Sequence, residues 1–182
     1  MRLSTIVAIL ATTLAPAAFA GDTGDAYQFS FLSIDGKQLP MSSFKGKTVL
    51  VVNTASQCGF TPQYSQLEKV WQKYKDKGLV VLGVPSNDFG KQEPGTNAQI
   101  HEFCTKNYSV TFPMATKISV KGGDMAPIYH WLTEKKYNGF KDSEVKWNFQ
   151  KYLINEKGQL VDVIAPGTKP TTSEVIQAIE RP

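Results

Sequence analysis

The chain has 182 residues, of which 41% are hydrophobic and 20% charged, with a formal net charge of +4 at pH 7. That is the profile of an ordinary soluble globule with enough chain to bury its own core. Its 20 Lys and Arg are spread out with no dense basic block, which argues against a nucleic-acid footprint, and 2 cysteines are too few for a disulfide framework.

The first twenty residues read as a leader. Arg2 gives a short positive start, Leu3 to Leu14 is apolar apart from a few Ser and Thr, and Ala18-Phe19-Ala20 has the small-x-small pattern of a signal peptidase site. The apolar part is too short to span a bilayer comfortably, and no Cys lies near the cut. The expectation is cleavage after Ala20 and one exported domain over 21–182, periplasmic in a Gram-negative source, with no stable membrane insertion.

In the remaining chain, Tyr27 to Ile34 alternates Phe29, Phe31 and Ile34 as a strand, and Asp35-Gly36 turns it into an N-terminal β-hairpin. Thr48 to Asn53 is nearly continuous Val and Leu, the mark of a strand covered on both faces. Tyr64, Leu67, Val70, Trp71 and Tyr74 recur at helical spacing, with Pro62 at the first helical position and Gly78 as the stop. Leu79 to Val84 is a second buried strand, so a right-handed βαβ unit is expected. A loop over Pro85 to Gly95 leads to Thr96, which with Gln99 forms a capping box for a helix to about Lys106. An extended segment from Phe112 to Val120, a short helix over Pro127 to Glu134, and a hairpin of 152–155 with 159–164 follow. A last helix is expected to open at Thr171, with Glu174 completing its capping box. This order fits a thioredoxin-like three-layer α/β/α domain with a central mixed sheet.

Cys58 falls in the loop between the first buried strand and its helix, at the sheet end where open α/β sheets place their chemistry. A thiol ahead of a helix N-terminus is favoured as thiolate; a small apolar packing residue is the equal alternative on local pattern alone. Cys58 and Cys104 could form a structural disulfide or a dithiol that cycles. Thr61 stands where a CxxC pair would have its second Cys, which argues against a disulfide isomerase or reductase. His101 and Cys104 share a helix face, but with His130 the only other His they do not amount to a metal site, and no metal or other cofactor is expected. Gly122-Gly123 is a turn and not a phosphate cradle.

Three segments, NTASQCGFTPQY, PSNDFGKQEPG and KWNFQKYLI, resemble in order and spacing the signature segments of the glutathione peroxidase family, and the similarity runs from about Tyr27 to Ile179. The resemblance implies that Cys58 is the peroxide-reducing residue and that Gln92, Trp147 and Asn148 complete its catalytic tetrad. The chemistry agrees: two amides and an indole N–H are neutral donors that can hold a thiolate and the leaving alkoxide or hydroxide without a His base. Cys104-Thr105-Lys106 resembles the context of the family's resolving cysteine, which implies a Cys58–Cys104 disulfide. A disulfide needs Cα atoms within about 7 Å, so the helix carrying Cys104 is expected to unwind locally on oxidation.

The sequence departs from the family at Ser86, where a third cysteine often stands, and at Asp88, where the family has Gln. Cys58 carries sulfur in place of selenium, so slower turnover is expected. The stretch before Trp147 lacks room for the oligomerisation loop of tetrameric members, which implies a monomer with a site open to bulky and lipid hydroperoxides. Arg181 is the only arginine beyond the leader, which favours a thioredoxin-like protein reductant over glutathione. The alternatives are a non-enzymatic thioredoxin-fold domain with a structural or sensing disulfide, and a protein thiol-disulfide oxidoreductase.

Overall fold

The computed structural model describes residues 24–181; the expected leader and its cleavage site lie outside them. A four-stranded mixed sheet in the order β4-β3-β5-β6 forms the middle layer, built from β3 (Thr48–Thr54), β4 (Leu79–Pro85), β5 (Lys151–Ile154) and β6 (Leu160–Ile164). β3 pairs parallel with β4 and antiparallel with β5. The Val/Leu run of β3 therefore lies in the sheet interior and serves both faces. Val49 and Val51 enter one core cluster, while Leu50 and Val52 enter the other.

The second face is covered by α1 (Gln63–Tyr74), α2 (Asn97–Tyr108) and α5 (Ser173–Glu180), which bury Tyr64, Leu67, Val70, Ile100, Cys104 and Val175 there. The first face is covered by α3 (Pro127–Thr133) and by the N-terminal hairpin of β1 (Ser30–Leu32) and β2 (Gln38–Pro40), through Ile128, Trp131, Phe29 and Phe31. The short α4 (Lys135–Asn138) follows α3. This is the expected thioredoxin-like three-layer arrangement.

Four local expectations change. Residues Ala26–Gln28 form a 3-10 turn, so the first strand is shorter than its alternation suggested, and Ile34 packs against the opposite cluster from Phe29 and Phe31. The first long helix begins at Gln63 and ends in a 3-10 turn over Lys75–Lys77, closed by Gly78 at φ 89°. The segment after Phe112 makes only isolated bridges, Gly83 with Met114 and Ser33 with Ala115. Wedged between β4 and the hairpin, it hydrogen-bonds alternately to Gly83 and Leu32, and Pro113 has no N–H to extend the ladder. Finally, α5 is capped by Thr172 without a side-chain bond. The Thr172 N–H instead closes a turn onto Lys169 O at 3.1 Å, which draws Thr171 into that turn and away from the cap.

Candidate active site

β3 ends at Thr54, and the loop beyond it carries Cys58 to the carboxyl end of the sheet. Thr61 holds this loop closed. Its hydroxyl accepts from Cys58 N–H at 3.0 Å and donates to Ala55 O at 3.0 Å, while its own N–H reaches Cys58 O at 3.0 Å. The sulfur is half-buried, and the Phe60 N–H donates to it at 3.4 Å. A backbone donor aimed at sulfur fixes where the sulfur points and offers a partner to charge that develops on it during reaction. Reading Thr61 only as a missing second cysteine left out this role; a hydroxyl residue three positions after Cys58 was the available signal.

The Gln57 N–H donates to Gln92 O at 3.0 Å and ties the thiol loop to the loop after β4. Gln92 in turn accepts on Oε1 from Asn148 Nδ2 at 2.9 Å. Asn53, at the end of β3, fixes the third segment: its amide donates to Trp147 O at 3.1 Å, and its O accepts from Phe149 N–H at 2.6 Å. Asn148 is buried, and its Oδ1 has no hydrogen-bond partner among the described residues. Trp147 stays 38% exposed, with its ring 5.6 Å from that of Phe89. Gln92, Trp147 and Asn148 are thus gathered from two distant segments and linked to the Cys58 loop.

Both amide residues adjoin backbone in an uncommon conformation. Lys91 has φ 54° and Phe149 has φ 65°, the left-handed region that non-glycine residues seldom adopt and that functional sites often hold. Asp88 is structural. Its Oδ2 accepts from Ser119 Oγ at 3.0 Å, Val120 N–H at 2.6 Å and Lys121 N–H at 3.1 Å. Those bonds brace the loop carrying Phe89, and therefore the ring beside Trp147.

Cys104 stands apart from this group. It lies inside α2, fully buried, in the core cluster against which Cys58 also packs, and both thiols are free. Burial pushes the Cys104 thiol up to about 12, partly offset by the Tyr64 hydroxyl beside it, while the negative charge of Glu93 adds to the rise. Lys151, which has no local signal in the sequence, is buried with no carboxylate partner among the described residues and donates to Thr168 O at 2.6 Å and Pro166 O at 3.1 Å. Burial lowers its ammonium to about 7. Among the described residues no group of three or more His, Cys, Asp or Glu gathers that could hold a metal ion.

Residues 26–133 match the glutathione peroxidase family. The chain is 52% identical over 137 residues to a glutathione peroxidase-like peroxiredoxin of Schizosaccharomyces pombe, covering 75% of this chain and 85% of that protein. It is 48% identical over 148 residues to a glutathione peroxidase of Lactococcus lactis, covering 81% and 94%. The crystal structure of Trgpx in apo form superposes with a TM-score of 0.68 at 38% identity, covering 88% of this chain and 99% of that one. A thiol:disulfide interchange protein from Chlorobium tepidum, at 19% identity and a TM-score of 0.60, shares the fold. Fold and site together define a cysteine-based peroxidase on a thioredoxin-like scaffold. The chain belongs to the glutathione peroxidase family.

Proposed function

We propose that this peroxidase runs a two-cysteine cycle. The Cys58 thiolate attacks the distal oxygen of a hydroperoxide; the O–O bond breaks, sulfur becomes sulfenic acid, and the departing alkoxide takes a proton to leave as alcohol. The Cys104 thiol then displaces hydroxide from that sulfur, giving a Cys58–Cys104 disulfide and water. A thioredoxin-like dithiol reduces the disulfide and is itself oxidised. The Asn148–Gln92 bond carries this reading: with Oε1 occupied, Gln92 has an amide NH₂ to offer to charge developing on sulfur or oxygen.

Cys104 is buried within a twelve-residue helix, so we infer that the turn around it opens when Cys58 is oxidised. Oxidised and reduced structures that both keep α2 intact would refute that step. A protein dithiol is preferred over glutathione because Arg181 lies beside Thr48, at the end of β3 remote from Cys58. Half-exposed Phe60 and Trp147 offer apolar surface suited to bulky hydroperoxides. The leader pattern supports an exported enzyme, and the absence of an insertion before Trp147 supports a monomer.

The test is one equivalent of peroxide added to reduced protein, with the cysteines mapped by mass. Rapid disulfide formation, abolished in Cys58→Ser and replaced by a sulfenic acid in Cys104→Ser, is the expected result. Reactivity no greater than that of a free thiol would reject the proposal.

A further inference from the structure

Glu93 follows Gln92 directly, yet its side chain faces the opposite way, into the protein. It is 1% exposed, and its carboxyl oxygens have no well-aligned hydrogen bond among the described residues, the donors beside them being the hydroxyl and N–H of Ser56. Its backbone is pinned on both sides: the N–H donates to Asn87 Oδ1 at 2.9 Å, and the carbonyl accepts from Lys117 Nζ at 3.1 Å. A buried carboxylate held only by poorly aligned donors is costly, so its presence behind the reactive loop asks for a use.

What surrounds it suggests that use. Glu93 lines a cleft of about 390 Å³ with Ser56 and Gln57 of the Cys58 loop on one side and Gln99, Ile100 and Phe103 of α2 on the other. Cys104 lies one helical turn beyond Ile100 on the same buried face. From each neighbouring element one group faces Glu93. Ser56 of the thiol loop turns its hydroxyl and N–H toward the carboxylate, and α2 presents Cys104. α1 contributes Tyr64, whose hydroxyl is beside Cys104, and the segment after α2 contributes Lys117, whose ammonium is bound to the carbonyls of Glu93 and Gly95. The carboxylate thus sits between the segments that carry the two cysteines.

We propose that Glu93 is the proton acceptor for Cys104 as that thiol attacks oxidised Cys58, a step that rests on the two-cysteine cycle above. The Cys104 S–H proton passes to the Glu93 carboxylate while the S–S bond forms and the S–O bond of the Cys58 sulfenic acid breaks. The departing hydroxide takes that proton back as water and Glu93 ends ionised. Cys104 is oxidised, the sulfenic sulfur is reduced, and no further reactant is consumed. The transfer takes place as the α2 turn opens and Cys104 crosses toward the Cys58 loop, because Glu93 lines the cleft between those two segments. Burial holds the Glu93 carboxyl above the ordinary carboxylate range, which brings it nearer to the acidity suited to proton transfer at neutral pH.

The test is stopped-flow of wild type, Glu93→Gln and Glu93→Asp with hydrogen peroxide across pH 4.5 to 8, following sulfenic-acid formation and disulfide formation separately. Glu93→Gln should form the sulfenic acid at the wild-type rate and the disulfide about 100-fold more slowly, the scale of general-base assistance. The wild-type disulfide step should rise with pH through one inflection above the ordinary carboxylate range, and Glu93→Gln should lack it. Glu93→Asp should recover part of the rate with the inflection retained. Should Glu93→Gln fail to fold, Glu93→Asp decides: a slowed disulfide step with a shifted inflection supports the proposal, and a wild-type rate and profile overturn it. A wild-type disulfide rate and pH profile in Glu93→Gln overturn it, as does equal slowing of both steps, which would mark a structural role. If wild type itself forms no Cys58–Cys104 disulfide, the two-cysteine cycle fails and this inference with it.

Discussion

The side-chain amide of Asn148 donates to the side-chain carbonyl of Gln92 at 2.9 Å, and that bond decides which way both amides face. Gln92 is left with its NH₂ as the group to offer, and Asn148 is held by a residue 56 positions away. Lys91 and Phe149, next to the two amides, are in left-handed backbone geometry, so the arrangement is kept against local preference. Gln92→Ala and Asn148→Ala should each slow peroxide oxidation of Cys58 by about 100-fold, the scale found for removing one preorganised donor. Oxidation of either variant at the wild-type rate in stopped-flow would exclude the amides from the chemistry.

Thr61 makes two hydrogen bonds through one hydroxyl, from Cys58 N–H and to Ala55 O. Thr61→Val leaves both partners unsatisfied in a buried place and should cost about 1–3 kcal/mol of stability, with Cys58 oxidised more slowly because the Phe60 N–H loses its aim at sulfur. Thr61→Ser should restore both. Urea melts and peroxide kinetics on the pair check this; a Thr61→Val variant as stable and as fast as wild type would contradict it.

Asp88 anchors the 119–121 loop with three hydrogen bonds to one oxygen. Asp88→Ala should lose about 1–3 kcal/mol, since two of its donors are backbone N–H groups. It should also change the fluorescence of Trp147, which rests against Phe89. A loss of stability with no effect on the Trp147 signal would separate the anchor from the site.

Stability should depend on pH through buried groups, Lys151 and Cys104 first and buried tyrosines at higher pH. Lys151 titrates at about 7 in the folded chain against 10.5 ordinarily. Between those values the unfolded chain holds more protons, so stability rises with pH, by at most about 1.4 kcal/mol per unit. Cys104 works in the other direction. Its thiol is pushed from 9.0 to about 12, so the unfolded chain loses that proton first and stability falls once pH passes 9. The expected profile climbs from about pH 7 to about pH 9 and then flattens, and buried Tyr64 and Tyr129, also raised, turn it down above pH 10. Urea midpoints at intervals of one pH unit measure it, and Lys151→Met should remove the climb.

Much of this was legible in the chain. The Val/Leu run of β3, the spacing of Tyr64, Leu67, Val70 and Tyr74, and the Thr96–Gln99 box each carry a local physical signature that packing did not overrule. The three motif segments pointed to Cys58, Gln92, Trp147 and Asn148, and the hydrogen bonds from Asn53, Gln57 and Asn148 supply the reason those segments meet. What escaped notice depends on long-range burial. Glu93 and Lys151 look like surface charges in sequence, because nothing local says that a neighbouring helix or loop will cover them. The 112–120 segment and the Thr171 cap went astray for the same reason: Pro113 and the 169–172 turn obey neighbours that are distant or equally persuasive locally.

The arrangement around Cys58 should activate it toward peroxide without a charged base. The most direct measurement is the second-order rate constant of the reduced Cys104→Ser protein with hydrogen peroxide, set beside that of free cysteine per thiolate at the same pH. The protein rate should be several orders of magnitude higher, falling toward the free-thiol value in Gln92→Ala and Asn148→Ala. A rate equal to that of free thiolate, unchanged by either substitution, would contradict it.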